Sequence, residues 1–280
     1  MIKKVIYLGP KGSYTDAAKE RFSVYFDKSV EFYSEKSINS IIRLLNDKKN
    51  SDFAAVVPIE NSIEGVVRET LDNLASLADK GIKIVAETKL SIEHCLIGFA
   101  TKKNIKTVSS HPQALAQCRE YLFNNFGSSI IEKPVVSTSS AVSNLSCESL
   151  DSAAIASEFC AKLYNVPIIE KNINDELNNT TRFILLANKE THKSDVNKVS
   201  ITFSTENKPG ALNKILNILE KNSLNMSYID SRPSRKELGE YIFFIDFEGH
   251  ILDFKVSSAI KEIEQYVRKL VILSDGAEII

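Results

Sequence analysis

Hydroxyl and amide side chains gather in this chain wherever an apolar run gives way to a helix pattern. A helix start presents unpaired N–H groups and the positive end of the helix dipole, so a carboxylate or phosphate settles there readily. The first such join is Gly9-Pro10-Lys11-Gly12-Ser13-Tyr14-Thr15, directly after an apolar strand pattern. Its glycines allow close backbone approach, Ser13 and Thr15 supply hydroxyls, and the lack of a GK[ST] ending excludes a P-loop. The second join, residues 57–65, crowds Glu60, Asn61 and Ser62 at the carboxyl end of a strand, where open α/β sheets hold their ligands. In the third, Ser109-Ser110-His111-Pro112-Gln113, Pro112 fits a first helical turn that Ser110 or His111 would cap. His111 suits an acid–base role as well as a capping one. The fourth places Ser137 and Thr138 before Ala141. The last is Asn178-Asn179-Thr180-Thr181-Arg182-Phe183, where Arg182 enters an apolar strand. A guanidinium there is costly unless it meets an anion, either a ligand carboxylate or a structural ion-pair partner. Each join alone also suits an ordinary capped turn. Together they describe a cleft of neutral donors and one guanidinium, suited to a small polyanion without a metal.

The elements that must position these joins follow from periodicity. Apolar runs at 5–8, 53–57, 82–85, 153–156 and 183–186 read as buried strands. Ile38, Ile41, Ile42 and Leu45 form one helical stripe, and Val67, Leu71, Leu74 and Ala78 another. Strand–helix alternation of this kind predicts an α/β fold with largely parallel sheets. The polar run 188–197 reads as a linker, with His192 a solvated side chain. Beyond it, Val199, Ile201 and Phe203 alternate with polar residues as a half-buried strand. Lys208-Pro209-Gly210 opens a helix striped by Leu212, Ile215, Leu216 and Leu219. Strands near 225–231 and 240–247, a helix striped by Val256, Ile260, Ile263 and Val267, and a last strand at 270–273 complete a βαββαβ order, the ferredoxin-like arrangement.

Composition narrows the function. Hydrophobic residues make up 43% of the 280-residue chain and the formal net charge is -1, so it can build sizeable cores and offers no electrostatic case for nucleic acid or an anionic membrane. The apolar run at the start ends at Gly9-Pro10, too short for a signal-peptide core, and no run approaches a membrane span. Cys95, Cys118, Cys147 and Cys160 form no CxxC pair, which points to reduced, mostly buried thiols and a cytoplasmic protein.

Taken in order, GPKGSYTDAA (9–18), VPIENSIEG (57–65), HPQALAQC (111–118), SAAIAS (152–157) and TRF (181–183) resemble the prephenate dehydratase family. NKPGAL (207–212), LNM (224–226), DSRP (230–233) and YIFFIDFEGH (241–250) resemble the ACT regulatory domain attached to such enzymes. The chain departs from the family pattern in having Ser13-Tyr14-Thr15 for Thr-Phe-Thr, Asp230 for Glu, and Ser139-Ser140 in a stretch that is usually alanine-rich.

The resemblance implies a catalytic domain over 1–187, made of two α/β lobes like a type-2 periplasmic binding protein. Lobe A would span about 1–78 plus 173–187, lobe B about 79–172, with an ACT domain at 198–280 after the linker. It implies decarboxylating dehydration of prephenate to phenylpyruvate in phenylalanine biosynthesis, without a cofactor. Thr181 would hydrogen-bond the leaving hydroxyl, and Arg182 would hold a substrate carboxylate. Ser13, Thr15, Glu60, Asn61, Ser62, Ser137, Thr138 and Phe183 would complete the substrate site, with Glu60 a rival proton donor if burial raises its pKa. L-Phenylalanine would bind the ACT unit at a subunit interface of a homodimer or homotetramer. Gly210, Ala211 and Leu212 would take its carboxylate; Asn225, Asp230 and Ser231 its amino group. With no chorismate mutase segment before Met1, the expectation is a monofunctional enzyme. The rivals are an arogenate dehydratase and a non-catalytic amino-acid sensor.

Overall fold

The computed structural model of the chain describes residues 2–47, 52–145, 150–188, 194, 197–234 and 240–280. Most of the expected linker, with His192, and also Cys147, lie outside them.

The first sheet begins with strand β1 (Lys4–Leu8), whose Val5, Ile6 and Tyr7 are buried because helices cover both faces. It pairs in parallel with β2 (Glu31–Glu35) and β3 (Phe53–Asn61). Helix α1 (Tyr14–Arg21) packs on one face, where Ala18 and Phe22 share a core with Val5 and Val56. On the other face lie α2 (Ile38–Asn46), capped by Ser37, and α3 (Arg68–Ala78). The two helical stripes seen in the sequence pack there: Ile38, Ile41, Ile42 and Leu45 with Leu71, Leu74 and Leu77. The two-residue strand β4 (Gly65–Val66) folds back on the end of β3. Two further strands, β5 (Lys83–Ser91) and β11 (Thr180–Ala187), join antiparallel, β11 lying between β3 and β5. The sheet is therefore mixed, where strand–helix alternation predicted a largely parallel one.

The chain leaves this sheet after β5 and returns at β11. Between those points it forms the second lobe, a five-stranded sheet ordered β10-β6-β9-β7-β8. Its strands are β6 (Cys95–Ile97), β7 (Thr107–Ser110), β8 (Ile131–Pro134), β9 (Ser152–Ala156) and β10 (Ile168–Glu170). Helices α4 (Pro112–Ala116), α5 (Arg119–Phe126), α6 (Thr138–Asn144) and α7 (Glu158–Tyr164) accompany them. The two crossings run side by side: Ile92 N–H donates to Asn179 O at 2.8 Å, and Ile173 N–H to His94 O at 2.9 Å. The lobe boundary thus falls at the end of β5 and the start of β11. Residues 83–91, expected in lobe B, belong to the first sheet because they pair along the whole of β11.

The C-terminal unit has the expected order: β12 (Asn197–Ser204), α8 (Ala211–Lys221), β13 (Met226–Pro233), β14 (Tyr241–Glu248), α9 (Phe254–Glu264) and β15 (Lys269–Ile279). One sheet face packs on α8 and α9 through Val199, Ile201, Phe203, Ile215, Leu219, Val256 and Ile260. The other joins the core of the first sheet, where Phe244, Leu273 and Ala277 share a cluster with Ile6, Leu71 and Leu74. Strand β15 is longer than the expected 270–273. Its final residues pair in parallel with β5, Glu278 opposite Ala86 and Ile279 opposite Glu87, so one ten-stranded sheet runs through both units. Its carboxyl half carries Ser274, Asp275 and Gly276, which break the apolar pattern that sequence periodicity relies on.

Candidate active site

A cavity of about 310 Å³ opens between the two lobes. All five polar joins contribute residues to it. Ser13, Thr15, Ser137, Thr138, His111, Asn61, Asn179, Thr181 and Phe183 all line it. Local chemistry explains how each join reaches the cavity. Ser13 caps α1, accepting from Asp16 N–H at 3.2 Å while its hydroxyl donates to Leu8 O. Ser137 caps α6 in a reciprocal capping box with Ser140, the Ser139-Ser140 departure thus serving the cap. His111 caps α4, its Nδ1 accepting from Gln113 N–H at 3.3 Å, so capping is the reading the structure supports.

The lobes touch on either side of the opening. Ser139 Oγ–H donates to Lys11 O across the gap. Gly12 has φ +85° and lies so close that a Cβ there would stand 2.7 Å from Ser139 Oγ, so only glycine fits. Tyr14 O–H donates to Glu93 O at 2.8 Å on the other side.

The pleat sorts the residues of β3 and β11. Thr181 lies opposite Asn61, and Arg182 opposite Glu60. Successive side chains leave a strand on opposite faces. Thr181, Phe183 and Asn61 therefore face the cavity, and Arg182 and Glu60 face the C-terminal unit. This corrects two expectations. Arg182 does not hold a substrate carboxylate: its side chain is 7% exposed and contacts Glu60, Glu87 and Asp246. Burial opposes its charge, but Asp246, Glu87 and Glu60 outweigh that and hold its pKa above the usual range. Glu60 is not a proton donor to the cavity; it sits 3.4 Å from Arg182 on the far face. Ser62 does not line the cavity either. Its hydroxyl donates to Asn178 O and accepts from Thr180 N–H, tying the β3 end to the segment that returns to β11.

Asn61 has a different job from the expected one. Its carbonyl accepts from Ile63 and Glu64 N–H, and its NH2 donates to Asn179 Oδ1 at 2.7 Å and Thr181 Oγ1 at 2.8 Å. Both protons are spoken for, so it orients Thr181 and has none left for a ligand. Thr181 Oγ therefore accepts from Asn61, and its own proton is left to point into the cavity.

A chain of side chains missed by sequence reasoning carries this order across the lobes. Asn179 NH2 donates to Gln117 Oε1 at 3.2 Å, and His94 Nε2 lies 3.0 Å from the same oxygen. An oxygen already accepting one hydrogen bond assigns the proton of His94 to Nε2. Nδ1 then faces Tyr14 O–H at 3.1 Å. Burial pushes the His94 pKa down, so the ring stays neutral. His94 was hidden because an isolated histidine in the short connection between β5 and β6 has no pattern.

Among the residues lining the cavity there is no Lys, Arg, Asp or Glu. An anion there would be held by hydroxyls, amides and backbone N–H groups. The buried thiols are inert: burial raises the Cys95 and Cys118 pKa values and pushes Cys160 up to about 11.

The expected effector residues divide between two places. Gly210, in a left-handed conformation, and Ala211 and Leu212 line a smaller cavity of about 250 Å³ with Asn207, Tyr241 and Phe243. Asp230 and Ser231 lie on the edge strand β13, beyond β14. Asn225 bonds Glu248. One copy of the chain does not bring these three to that cavity.

Comparison with known proteins places this geometry. The prephenate dehydratase family profile matches residues 5–191, and the ACT domain profile matches 199–265. The chain is 44% identical over 271 residues to a prephenate dehydratase of Methanocaldococcus jannaschii, covering 95% of each. It is 36% identical to one of Lactococcus lactis subsp. cremoris, covering 93% of this chain and 92% of the relative. Among solved structures, the prephenate dehydratase of Arthrobacter aurescens in complex with L-Phe superposes with TM-score 0.84 at 27% identity, covering 98% of this chain and 89% of that one.

Proposed function

The chain belongs to the prephenate dehydratase family, and from that premise we propose how its cavity turns prephenate into phenylpyruvate, water and CO2. The observation that carries the reading is the Thr181 hydroxyl, fixed through its oxygen by Asn61 and free to donate into a cavity without charged side chains.

Prephenate carries a ring hydroxyl, a ring carboxylate and a pyruvyl carboxylate. As the C–O bond to the hydroxyl breaks, the electron pair of the bond to the ring carboxylate moves into the ring, CO2 departs, and the ring becomes aromatic. The departing hydroxide takes up one proton to leave as water. Thr181 stabilises it as it leaves by donating a hydrogen bond; a threonine hydroxyl is too weak an acid to lose its proton outright, so the proton comes finally from solvent. Donors placed where charge develops are each worth about 3–4 kcal/mol in catalysis. Thr15, Ser137 and Thr138, with the helix starts of α1 and α6, hold the pyruvyl carboxylate; Ser13, its proton given to Leu8 O, shapes the α1 start. The ring carboxylate faces no cation in the cavity, which favours its loss as neutral CO2.

Residues 1–187 form the catalytic unit and 198–280 the ACT unit. The ACT unit binds L-phenylalanine where Gly210, Ala211 and Leu212 of one copy meet Asn225, Asp230 and Ser231 of another, which calls for a homodimer or homotetramer. Feedback follows if the effector binds the less active arrangement better. No helix among the described residues is long and apolar enough to cross a membrane, and the enzyme works in the cytoplasm. The deciding experiment follows phenylpyruvate by ultraviolet absorbance with prephenate or arogenate as substrate, with and without L-phenylalanine. Turnover of prephenate that falls as L-phenylalanine is added is expected; turnover of arogenate alone would overturn the substrate assignment.

A further inference from the structure

Arg182 follows the catalytic threonine in β11, yet the reaction does not touch it. Its surroundings come from both units. Nη1 lies 3.4 Å from Glu60, and Nε lies 3.0 Å from Glu87, both in the first lobe. Nη2 donates to Asp246 of β14, and the guanidinium lies 5.6 Å from the centre of the Tyr228 ring of β13. Lys198 of β12 pairs with the second oxygen of Glu87. Arg182, Glu87, Asp246 and Lys198 are all buried. A buried ion cluster contributes little net stability compared with apolar packing, so its effect is to fix one arrangement.

That arrangement bears directly on the site. Glu60 and Arg182 are neighbours on the β3–β11 ladder, one residue along from Asn61 and Thr181. Tyr228 in turn donates to Asp230 at 3.4 Å, in the strand assigned above to the effector. Strands β13 and β14 therefore touch Arg182 directly, and the residue before it in the chain is Thr181.

We propose that Arg182 is a positioning residue: clamped by Asp246 and Tyr228 of the regulatory unit, it holds the end of the β3–β11 ladder so that Thr181 meets the leaving hydroxyl. The regulatory unit is then part of the catalytic apparatus, and effector binding acts on turnover through this side chain. The inference rests on the dehydration chemistry assigned to Thr181, which wild-type turnover of prephenate tests separately.

The test uses the full-length chain with Asp246→Asn and Arg182→Lys, each assayed where circular dichroism shows it folded. A misplacement near 1 Å costs up to about 10²-fold in rate. The expected result is a fall in kcat of about ten- to a hundredfold, with KM within about twofold. L-Phenylalanine should still bind by calorimetry, while its fractional effect on the remaining turnover shrinks. A merely structural role would lower Tm and leave kcat per folded enzyme unchanged. Wild-type kcat and full inhibition in a folded variant would overturn the proposal. Should Asp246→Asn fail to fold, Arg182→Lys decides alone, since it keeps the charge and loses the fork; unchanged kcat there overturns it equally.

Discussion

Thr181→Val is the substitution that most directly tests the site. Valine matches threonine in shape and β propensity, so β11 and the cavity wall keep their form. Two interactions change. The donor to the leaving hydroxyl disappears, which costs about 2.7–4 kcal/mol in the transition state, or about 10²–10³-fold in kcat. Asn61 also loses the acceptor at 2.8 Å, but its amide keeps Asn179 Oδ1 at 2.7 Å and has Thr180 O at 3.3 Å. The stability cost thus sits near the low end of the usual range for an unsatisfied group, about 1 kcal/mol, a Tm shift of only a few degrees. Thr181→Ser keeps the hydroxyl and the acceptor, and should retain turnover within about tenfold, the loss reflecting a freer rotamer. The assay is initial phenylpyruvate formation at saturating and limiting prephenate, paired with thermal denaturation. Because Asn61 acts through Thr181, the combined Asn61→Ala and Thr181→Val variant should be little slower than Thr181→Val alone. Near-normal kcat in folded Thr181→Val, or fully additive losses in the double variant, would refute the reasoning.

Gly12→Ala should raise KM and lower kcat, because the left-handed φ costs about 1–2 kcal/mol and the new Cβ forces Ser139 away, loosening the contact between lobes; unchanged kinetics would show that this contact does not control closure. His94 is held neutral by burial, so its folded pKa lies below the unfolded value near 6.5. The unfolded state then binds more protons below that pH. Stability should hold above about pH 6.5 and fall as pH drops from there toward the folded pKa, a slope that His94→Gln flattens in urea titrations; identical slopes would count against a buried neutral ring. Deleting residues after Ala187 should abolish inhibition by L-phenylalanine and also impair the basal enzyme. It opens the core that Phe244 and Leu273 complete, exposing area worth about 3–6 kcal/mol for two large side chains. A truncation with wild-type Tm and turnover would show the units to be independent.

Most of the local structure follows from the chain itself. The stripes Ile38-Ile41-Ile42-Leu45 and Leu71-Leu74 form helices because apolar residues at that spacing need one common face to bury. Ser37 and Ser137 start helices through their own side chains. The ACT pattern and the family motifs are equally local, so the βαββαβ order and the polar joins that meet at the cavity were legible. Strands β2 and β8 were not, since their polar residues sit at sheet edges and gain little from burial. Neither was the end of β15, whose partner β5 lies far away in the chain.

What the sequence determined is that residues 181 and 182 leave a strand on opposite sides, because a pleat alternates. What only the tertiary structure decided is which side is the cavity. The two lobes meet over one face of the β3–β11 ladder and bring His94 and Gln117 to Asn179. The ACT sheet covers the other and brings Asp246 to Arg182. Those partners are many residues apart in the chain, and no local preference encodes their approach; it comes from the burial of two apolar faces against each other. A guanidinium in an apolar strand announced that an anion must be near, and the fold supplied protein carboxylates.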